Sequence, residues 1–338
     1  MICLGIESTA HTFGVGIAQY KDGLKSWKSA ILANEKDSYS TPKGGMIPNK
    51  VSAHHVDVCD KVLKNALKTA KISIKDIDII AFSQSPGLGQ ALRIGAMMAK
   101  TLSVLHNIPL VGVNHCIAHL EIGRLVTKAK DPVMLYASGA NTQVIAYEGG
   151  KYRIFGETLD QGVGNFIDSF ARFADLGFPG GPKIEKLALK AKNKKKLIEL
   201  PYVVKGMDVS FGGLLTNLKQ KLESGKYKIE DLCYSMQEDV FAMLVEVTER
   251  AIAHTDKKEL LLGGGVACNK RLQEMCNIMC KERQAKCFTP ENQFLVDNAG
   301  MIAWTGILQY RAGHRLKLEH ADIKPYLRTD DIDVDWRD

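Results

Sequence analysis

One pattern occurs twice in this chain, and it limits the available folds more than any other feature. In the first copy, Cys3-Leu4-Gly5-Ile6-Glu7-Ser8-Thr9-Ala10 reads as a strand running into a small, polar turn. Gly14 to Tyr20 returns as a second strand, and Lys21-Asp22-Gly23 turns tightly into a third, Leu24 to Leu32. In the second copy Val133 to Ala137 is the strand, Ser138-Gly139-Ala140-Asn141-Thr142 the small turn, and Gln143 to Tyr147 the return. Glu148-Gly149-Gly150 then takes the place of Lys21-Asp22-Gly23, and Lys151 to Leu159 forms the third strand. Tyr20 and Tyr147 stand at matching positions before the two tight turns. Two copies indicate a duplicated domain, not a solenoid. Each half is expected to be a mixed sheet with helices on both faces, so the fold class is α/β with two lobes. The N-terminal lobe is expected at residues 1–128 and the C-terminal lobe at 129–301. The tail, from about 302 to 338, is expected to pack back on the first lobe.

The two small-residue turns are expected to face each other across the lobes. Glycine and serine let backbone N–H groups approach an anion, so a matched pair of such turns makes a phosphate cradle. Between the copies, the loop Pro42 to Pro48 precedes an amphipathic helix near Val51 to Lys71. Strand Ile77 to Ser83 leads into Pro86-Gly87-Leu88-Gly89 and a helix to His106. After the second copy comes a helix over Gly162 to Asp175 that contains Asp168. The break Phe178-Pro179-Gly180-Gly181-Pro182 separates it from a helix bearing Glu185, and a long helix spans about Glu230 to His254. Strand Glu259 to Leu262 feeds Gly263-Gly264-Gly265 and a helix from about Asn269 to Lys281. These are the parts of a nucleotide site, although Asn269 serves equally as a plain N-cap. Asp297 precedes a last helix, about Asn298 to Ala312, and Pro325 to Asp338 reads as an irregular acidic tail.

Asn114-His115-Cys116-Ile117-Ala118-His119 follows an apolar run, Ile108 to Val113, that reads as a buried strand. Asn114 is a good N-cap, which sets both histidines on the first turns of a helix, at i and i+4 on one face. Such a pair can hold one metal ion or can simply pack and cap, and spacing does not choose between the two. It is not the zinc-peptidase signature, which needs Glu after the first His as general base; Cys116 stands there.

Composition excludes several classes. With 45% apolar and 25% charged residues among 338, the chain is an ordinary globular one. Its longest apolar stretches are strand-length, so no membrane span is expected. Glu7 in the first strand, with no basic segment before it, argues against a signal peptide. The eight cysteines include no Cys-x-x-Cys pair, which favours free thiols in a reducing cytoplasm over disulfides or a zinc finger. A net charge of +7 is compatible with a nucleic-acid partner, and Lys192 to Lys196 reads as a solvated loop.

Several ordered segments together resemble one family. They are Gly5 to Ala10, Pro86-Gly87-Leu88, Asn114 to His119, Thr158-Leu159-Asp160-Gln161-Gly162, Phe178 to Pro182 with Ile184-Glu185, Gly264-Gly265-Val266-Ala267 and Asp297-Asn298. The resemblance is to the universal tRNA threonylcarbamoyl transferases in their archaeal and eukaryotic form, once classed as sialoglycoprotein endopeptidases. It runs from Gly5 to Trp336. It implies an actin/hexokinase/heat-shock-protein-like (ASKHA) fold with a central nucleotide cleft. The implied reaction moves threonylcarbamoyl from threonylcarbamoyl-AMP to the exocyclic amine of the adenosine 3′ of the anticodon, in tRNAs reading ANN codons.

Position by position, the resemblance implies His115, His119, Tyr136 and Asp297 as metal ligands. It places Tyr136, Ala137, Ser138, Gly139 and Ala140 beside the transferred group, and Asp168, Gly181, Glu185 and Asn269 against the nucleotide. The expected metal is Fe²⁺, with Zn²⁺ as the alternative, because imidazole and phenolate suit these ions better than Mg²⁺. The expected nucleotide is threonylcarbamoyl-AMP or ATP. Expected partners are tRNA and KEOPS-type subunits, including a small serine/threonine kinase that is fused C-terminally in some archaeal relatives. The alternative is an ATPase, kinase or nucleotide-binding scaffold on the same fold, which as a phosphotransferase would need Mg²⁺ and a carboxylate near the γ-phosphate. Three positions depart from the family's usual residues: Ala140 for the second glycine of the turn, Gly212 for Ser, and Asn49 for Arg. A methyl at 140 costs roughly 1 kcal/mol if that position needs a positive φ.

Overall fold

The computed structural model describes residues 1–23, 26–192 and 196–337, and in it the duplication takes the form of two five-stranded sheets. The first contains β1 (Ile2–Glu7), β2 (Thr12–Gln19), β3 (Ile31–Ser38), β4 (Ile79–Ser85) and β5 (Leu110–Asn114), in the order β3-β2-β1-β4-β5. Helices α1 (Trp27–Ala30), α2 (Pro48–Ala70), α3 (Gly89–His106) and α4 (His115–Thr127) belong to this half and its exit. The second half opens with β6 (Val133–Ala137), β7 (Thr142–Glu148) and β8 (Lys151–Glu157). It continues through α5 (Val163–Phe173), α6 (Gly181–Leu189), the small hairpin of β9 (Val204–Lys205) and β10 (Asp208–Val209), α7 (Gly212–Glu223) and α8 (Ile229–Thr255). Then come β11 (Glu259–Gly263), α9 (Lys270–Glu282), β12 (Lys286–Phe288), α10 (Asn292–Leu295) and α11 (Ala299–Arg311). Read from its opposite edge, the order β12-β11-β6-β7-β8 repeats the first sheet strand for strand. In both, three antiparallel neighbours are followed by two parallel additions.

The third strand of the first copy departs from the expected Leu24 to Leu32. Ser26 caps a single helical turn, accepting from Lys28 N at 3.3 Å, and β3 begins only at Ile31. The physical reason is Trp27, whose ring meets Phe294 edge-on with centroids 5.0 Å apart; burying the indole against α10 outweighs an earlier start to strand pairing. Residues 24 and 25 lie outside the described residues, as do 193–195 of the expected loop Lys192 to Lys196.

Helix α11 is buried on almost every side because it lies across the first sheet. The cross-strand partners Gly5 and Gly16 admit it. A Cβ on Gly5 would lie 2.3 Å from Ala303 N, and one on Gly16 would lie 2.4 Å from Gly300 N. Only a residue without a side chain allows so close an approach. Helix α4 packs on α11, on β5 and on β11, so it links both sheets.

After α11 the tail runs along the first half: Leu316 bridges Leu110, and Ala321 and Ile323 join the core of the first sheet. Its last stretch reaches both α4 and the second half. Asp333 bridges Lys151, and Ile332, Val334 and Trp336 pack with Tyr136, Ile145 and Tyr152 of the second half. The cause is Glu121 on α4, a buried carboxylate that accepts from Tyr152 Oη at 2.6 Å, Arg124 Nη1 at 2.8 Å and Trp336 Nε1 at 2.9 Å. Among the described residues, no helix is long and apolar enough to cross a membrane.

Candidate functional site

Strand β5 delivers the chain to the boundary between the sheets and ends at Asn114. The Asn114 Oδ1 accepts from Cys116 N at 3.0 Å and Ile117 N at 3.1 Å, capping α4. His115 and His119 therefore share a face, with ring centroids 4.8 Å apart. Asp297, just before the Asn298 cap of α11, meets them: its Oδ1 is 3.3 Å from His115 Nε2 and 3.6 Å from His119 Nε2. The His119 Nε2 is buried with no hydrogen-bond partner. Leaving a buried nitrogen unpaired costs roughly 1–3 kcal/mol. Shared binding of a cation would offset that cost, and donor atoms of His115, His119 and Asp297 all lie within 4.8 Å of one another. This buried group could bind a metal.

Glu7 belongs to the site, and sequence reasoning did not single it out. Its Oε2 lies 2.9 Å from His115 Nδ1, while Oε1 accepts from Thr9 N at 2.7 Å and from Thr9 Oγ1 at 2.5 Å. A carboxylate on Nδ1 fixes the proton there and leaves Nε2 as the donor, the usual way a ligating imidazole is oriented. The available signal was a glutamate inside an otherwise apolar strand. Burial opposes charging of His115, yet Glu7 and Asp297 outweigh it and hold the imidazole well above its usual range. At His119 burial dominates and the shift is downward. Burial works against the Asp297 carboxylate too, but the two imidazoles beside it hold it well below the usual range.

The Tyr136 ring sits 5.0 Å from His119 and 6.5 Å from His115, centroid to centroid. Burial, with Cys116 and Asp297 adding to it, pushes its phenol well above the usual range. The buried Cys116 thiol is also pushed up, chiefly by burial, so it offers no general base. Tyr136 and Ala137 end β6, and Ser138-Gly139-Ala140 form the turn. The start of α5 closes on that turn, with Gly164 N donating to Ser138 O at 3.0 Å and Asn165 N to Gly139 O at 2.9 Å. Gly264, at φ 89°, backs it: a Cβ there would lie 2.3 Å from Ala137 O. Ala140 is not among the positive-φ residues, so its methyl carries no left-handed strain.

The remaining expected contacts form a second cluster along α6. Asp168 Oδ1 accepts from Gly180 N at 2.7 Å, and burial pushes its carboxyl up. Glu185 Oε1 accepts from Lys270 N at 3.0 Å, and Gly181 faces open space. Asn269 is the N-cap of α9, accepting from Arg271 N at 2.9 Å and donating from Nδ2 to Gln237 Oε1 at 2.9 Å. Helix α5 packs on both the 138–140 turn and α6, and so joins the clusters. Of the departures, Gly212 donates its N–H to Asp160 Oδ2 at 2.7 Å, and Asn49 lies in the exposed first turn of α2.

A family model described as tRNA N6-adenosine threonylcarbamoyltransferase matches residues 30–304. The protein of that name from Thermococcus kodakarensis is 55% identical over 99% of this chain and 100% of its own length. The chain belongs to this family. The probable bifunctional tRNA threonylcarbamoyladenosine biosynthesis protein of Methanocaldococcus jannaschii is 49% identical over 99% of the chain, which spans 60% of that protein. Among solved structures, HypF of T. kodakarensis matches with a TM-score of 0.61 at 14% identity, over 92% of this chain and 47% of that one. An activator of the 2-hydroxyisocaproyl-CoA dehydratase from Clostridium difficile, with bound ADPNP, matches with a TM-score of 0.53 at 10% identity, over 92% and 96%. The structural likenesses show the fold alone, the two-lobed ASKHA arrangement.

Proposed function

We propose that this protein transfers threonylcarbamoyl from threonylcarbamoyl-AMP to the N6 amine of the tRNA adenosine 3′ of the anticodon. Family membership supports the reaction class. The observation that carries the site is the buried Nε2 of His119, which has no hydrogen bond and stands 3.6 Å from Asp297 Oδ1 beside His115. In this reading His115, His119, Tyr136 and Asp297 hold one divalent metal, Fe²⁺ in the first place and Zn²⁺ in the second. When bound, the metal supplies Lewis-acid polarisation of the donor's carbonyl or phosphate oxygens.

The chain's own residues do the rest. Glu7 keeps the Nδ1 proton of His115 in place, so that Nε2 is the ligand atom. The Ala137 to Ala140 turn lines the acyl and phosphate region with backbone and small side chains only. Glu185 accepts from Lys270 N and Asp168 from the backbone at Gly180 and Gly181, and each carboxylate keeps lone pairs for a ribose hydroxyl; phosphate would be repelled. Gly181 leaves room for the nucleoside, and Asn269 holds the start of α9 beside it. Attack by the N6 amine forms a C–N bond at the carbamoyl carbon and breaks the C–O bond to phosphate, releasing AMP and a proton. Lobes at 1–128 and 129–301 form the two sides of the cleft. The bifunctional relatives support a kinase as partner, within a KEOPS-type set of subunits, and tRNA chemistry with free thiols supports a cytoplasmic setting.

The test is mass spectrometry of digested tRNA after incubation with the chain, its partner subunits and threonylcarbamoyl-AMP. Threonylcarbamoyladenosine is the expected product, and peptide cleavage is not expected. A reconstituted enzyme that forms none while hydrolysing ATP freely would replace this reading with the ATPase or kinase one.

A further inference from the structure

The segment from Lys324 to Thr329 crosses between the two halves on the side where the strands end at the site. Lys324 N donates to Gln84 O at 2.8 Å and Gly87 N to Pro325 O at 3.2 Å, which pins its start to the loop after β4. That loop packs on Thr9, through Leu88 N to Thr9 O at 2.8 Å, and Thr9 touches both Glu7 and His115. At the other end, Arg328 Nη2 is 3.1 Å from Glu157 Oε1 at the close of β8, and the Thr329 hydroxyl is buried beside Cys116 at the head of α4. Between the anchors the side chains alternate. Ile323, Pro325 and Leu327 are half-buried, while Lys324, Tyr326 and Arg328 face solvent. Tyr326 is 93% exposed, the most exposed large apolar side chain among the described residues.

An aromatic ring in water contributes nothing to folding, and here it stands between two cations at the tip of a turn, closed by Leu327 N donating to Lys324 O at 3.1 Å, on a segment anchored at both ends. Bases of single-stranded nucleic acid stack on such rings while their phosphates meet the cations. We infer that Lys324-Pro325-Tyr326-Leu327-Arg328 is an RNA-contact strip at the mouth of the site. An unpaired nucleotide next to the target adenosine stacks on Tyr326, and Lys324 meets its phosphate. Arg328, already paired with Glu157 and Asp330, fixes the strip in place. Because both ends are tied to the fold, little chain entropy is lost on binding. The inference rests on the tRNA reading above and names the surface that reading uses.

The test measures tRNA KM and kcat for the reconstituted enzyme, together with binding of a fluorescent anticodon stem-loop to the chain. Tyr326→Ala should raise the tRNA KM and the stem-loop Kd about 5- to 150-fold, the loss of one stacked base. Its kcat at saturating tRNA and its affinity for adenine nucleotide should not change. Tyr326→Phe keeps the ring and should match wild type, and Lys324→Ala should lower the salt slope of binding by about one. Equal tRNA KM in Tyr326→Ala and wild type overturns the strip and leaves the transferase reading intact. No product from wild type overturns the transferase reading instead. If Tyr326→Ala weakens assembly with partner subunits while stem-loop binding is unchanged, the segment is a protein interface and the inference fails.

Discussion

Gly16→Ala should destabilise the first sheet and loosen the metal group together. The added Cβ would lie 2.4 Å from both Ala299 C and Gly300 N, backbone atoms that have no rotamer to change. Ordinary contact needs about 3.5 Å, so β2 and α11 must part by about 1 Å. Overpacking of this kind costs about 1–3 kcal/mol. The displacement reaches the site because Asp297 and Asn298 head the same helix. A shift of about 1 Å there would move Asp297 Oδ1, now 3.3 Å from His115 Nε2, away from the point on which ligand bonds of about 2 Å to one small ion converge. Gly213→Ala is the control: a Cβ there meets nothing within 4 Å, and in α7 alanine should stabilise by roughly 0.5–1 kcal/mol. Urea unfolding and metal titration, run on both variants, read the two effects. An unchanged midpoint and unchanged metal affinity in Gly16→Ala would refute the tight seating of α11.

Trp336→Phe removes one donor from the buried Glu121 carboxylate and should cost about 1–3 kcal/mol, read by thermal unfolding; no change would free the tail from its bracing role. Asp160→Asn probes acid stability. Burial opposes the Asp160 charge, but donors at Ser210, Phe211, Gly212 and Gln161 outweigh it and depress the carboxyl to about 2 from 3.8. A depressed folded pKa means stability present near neutral pH and lost as pH falls from about 4 towards 2, so the variant should lack that part of the acid slope in urea midpoints. Asp168→Ala and Glu185→Ala should each weaken adenine-nucleotide binding by about 1–3 kcal/mol in calorimetry. Full affinity in both would return these carboxylates to purely structural roles with Gly180 and Lys270.

What could be read ahead of the structure was local. The paired hairpins were legible because strand alternation and small turn residues are short-range signals, and the sheet orders bear out the duplication. The His115 and His119 face followed from an N-cap and a four-residue spacing. Asp297 is a lone aspartate with no local pattern, and only the family resemblance pointed to it. What escaped depends on partners far along the chain. The start of β3 is decided by Trp27 against Phe294, and the last turn of the tail by Trp336 reaching Glu121. Glu7 escaped as a site residue because its meaning lies in His115, which the fold alone brings to it.

Metal content is the most direct measurement of the central claim, that the head of α4 and the start of α11 form one metal centre. Purified wild type should carry stoichiometric Fe or Zn by elemental analysis. The double variant His115→Ala, His119→Ala should carry none while keeping its circular dichroism spectrum and a cooperative urea transition. Full metal occupancy in that folded double variant would contradict the account.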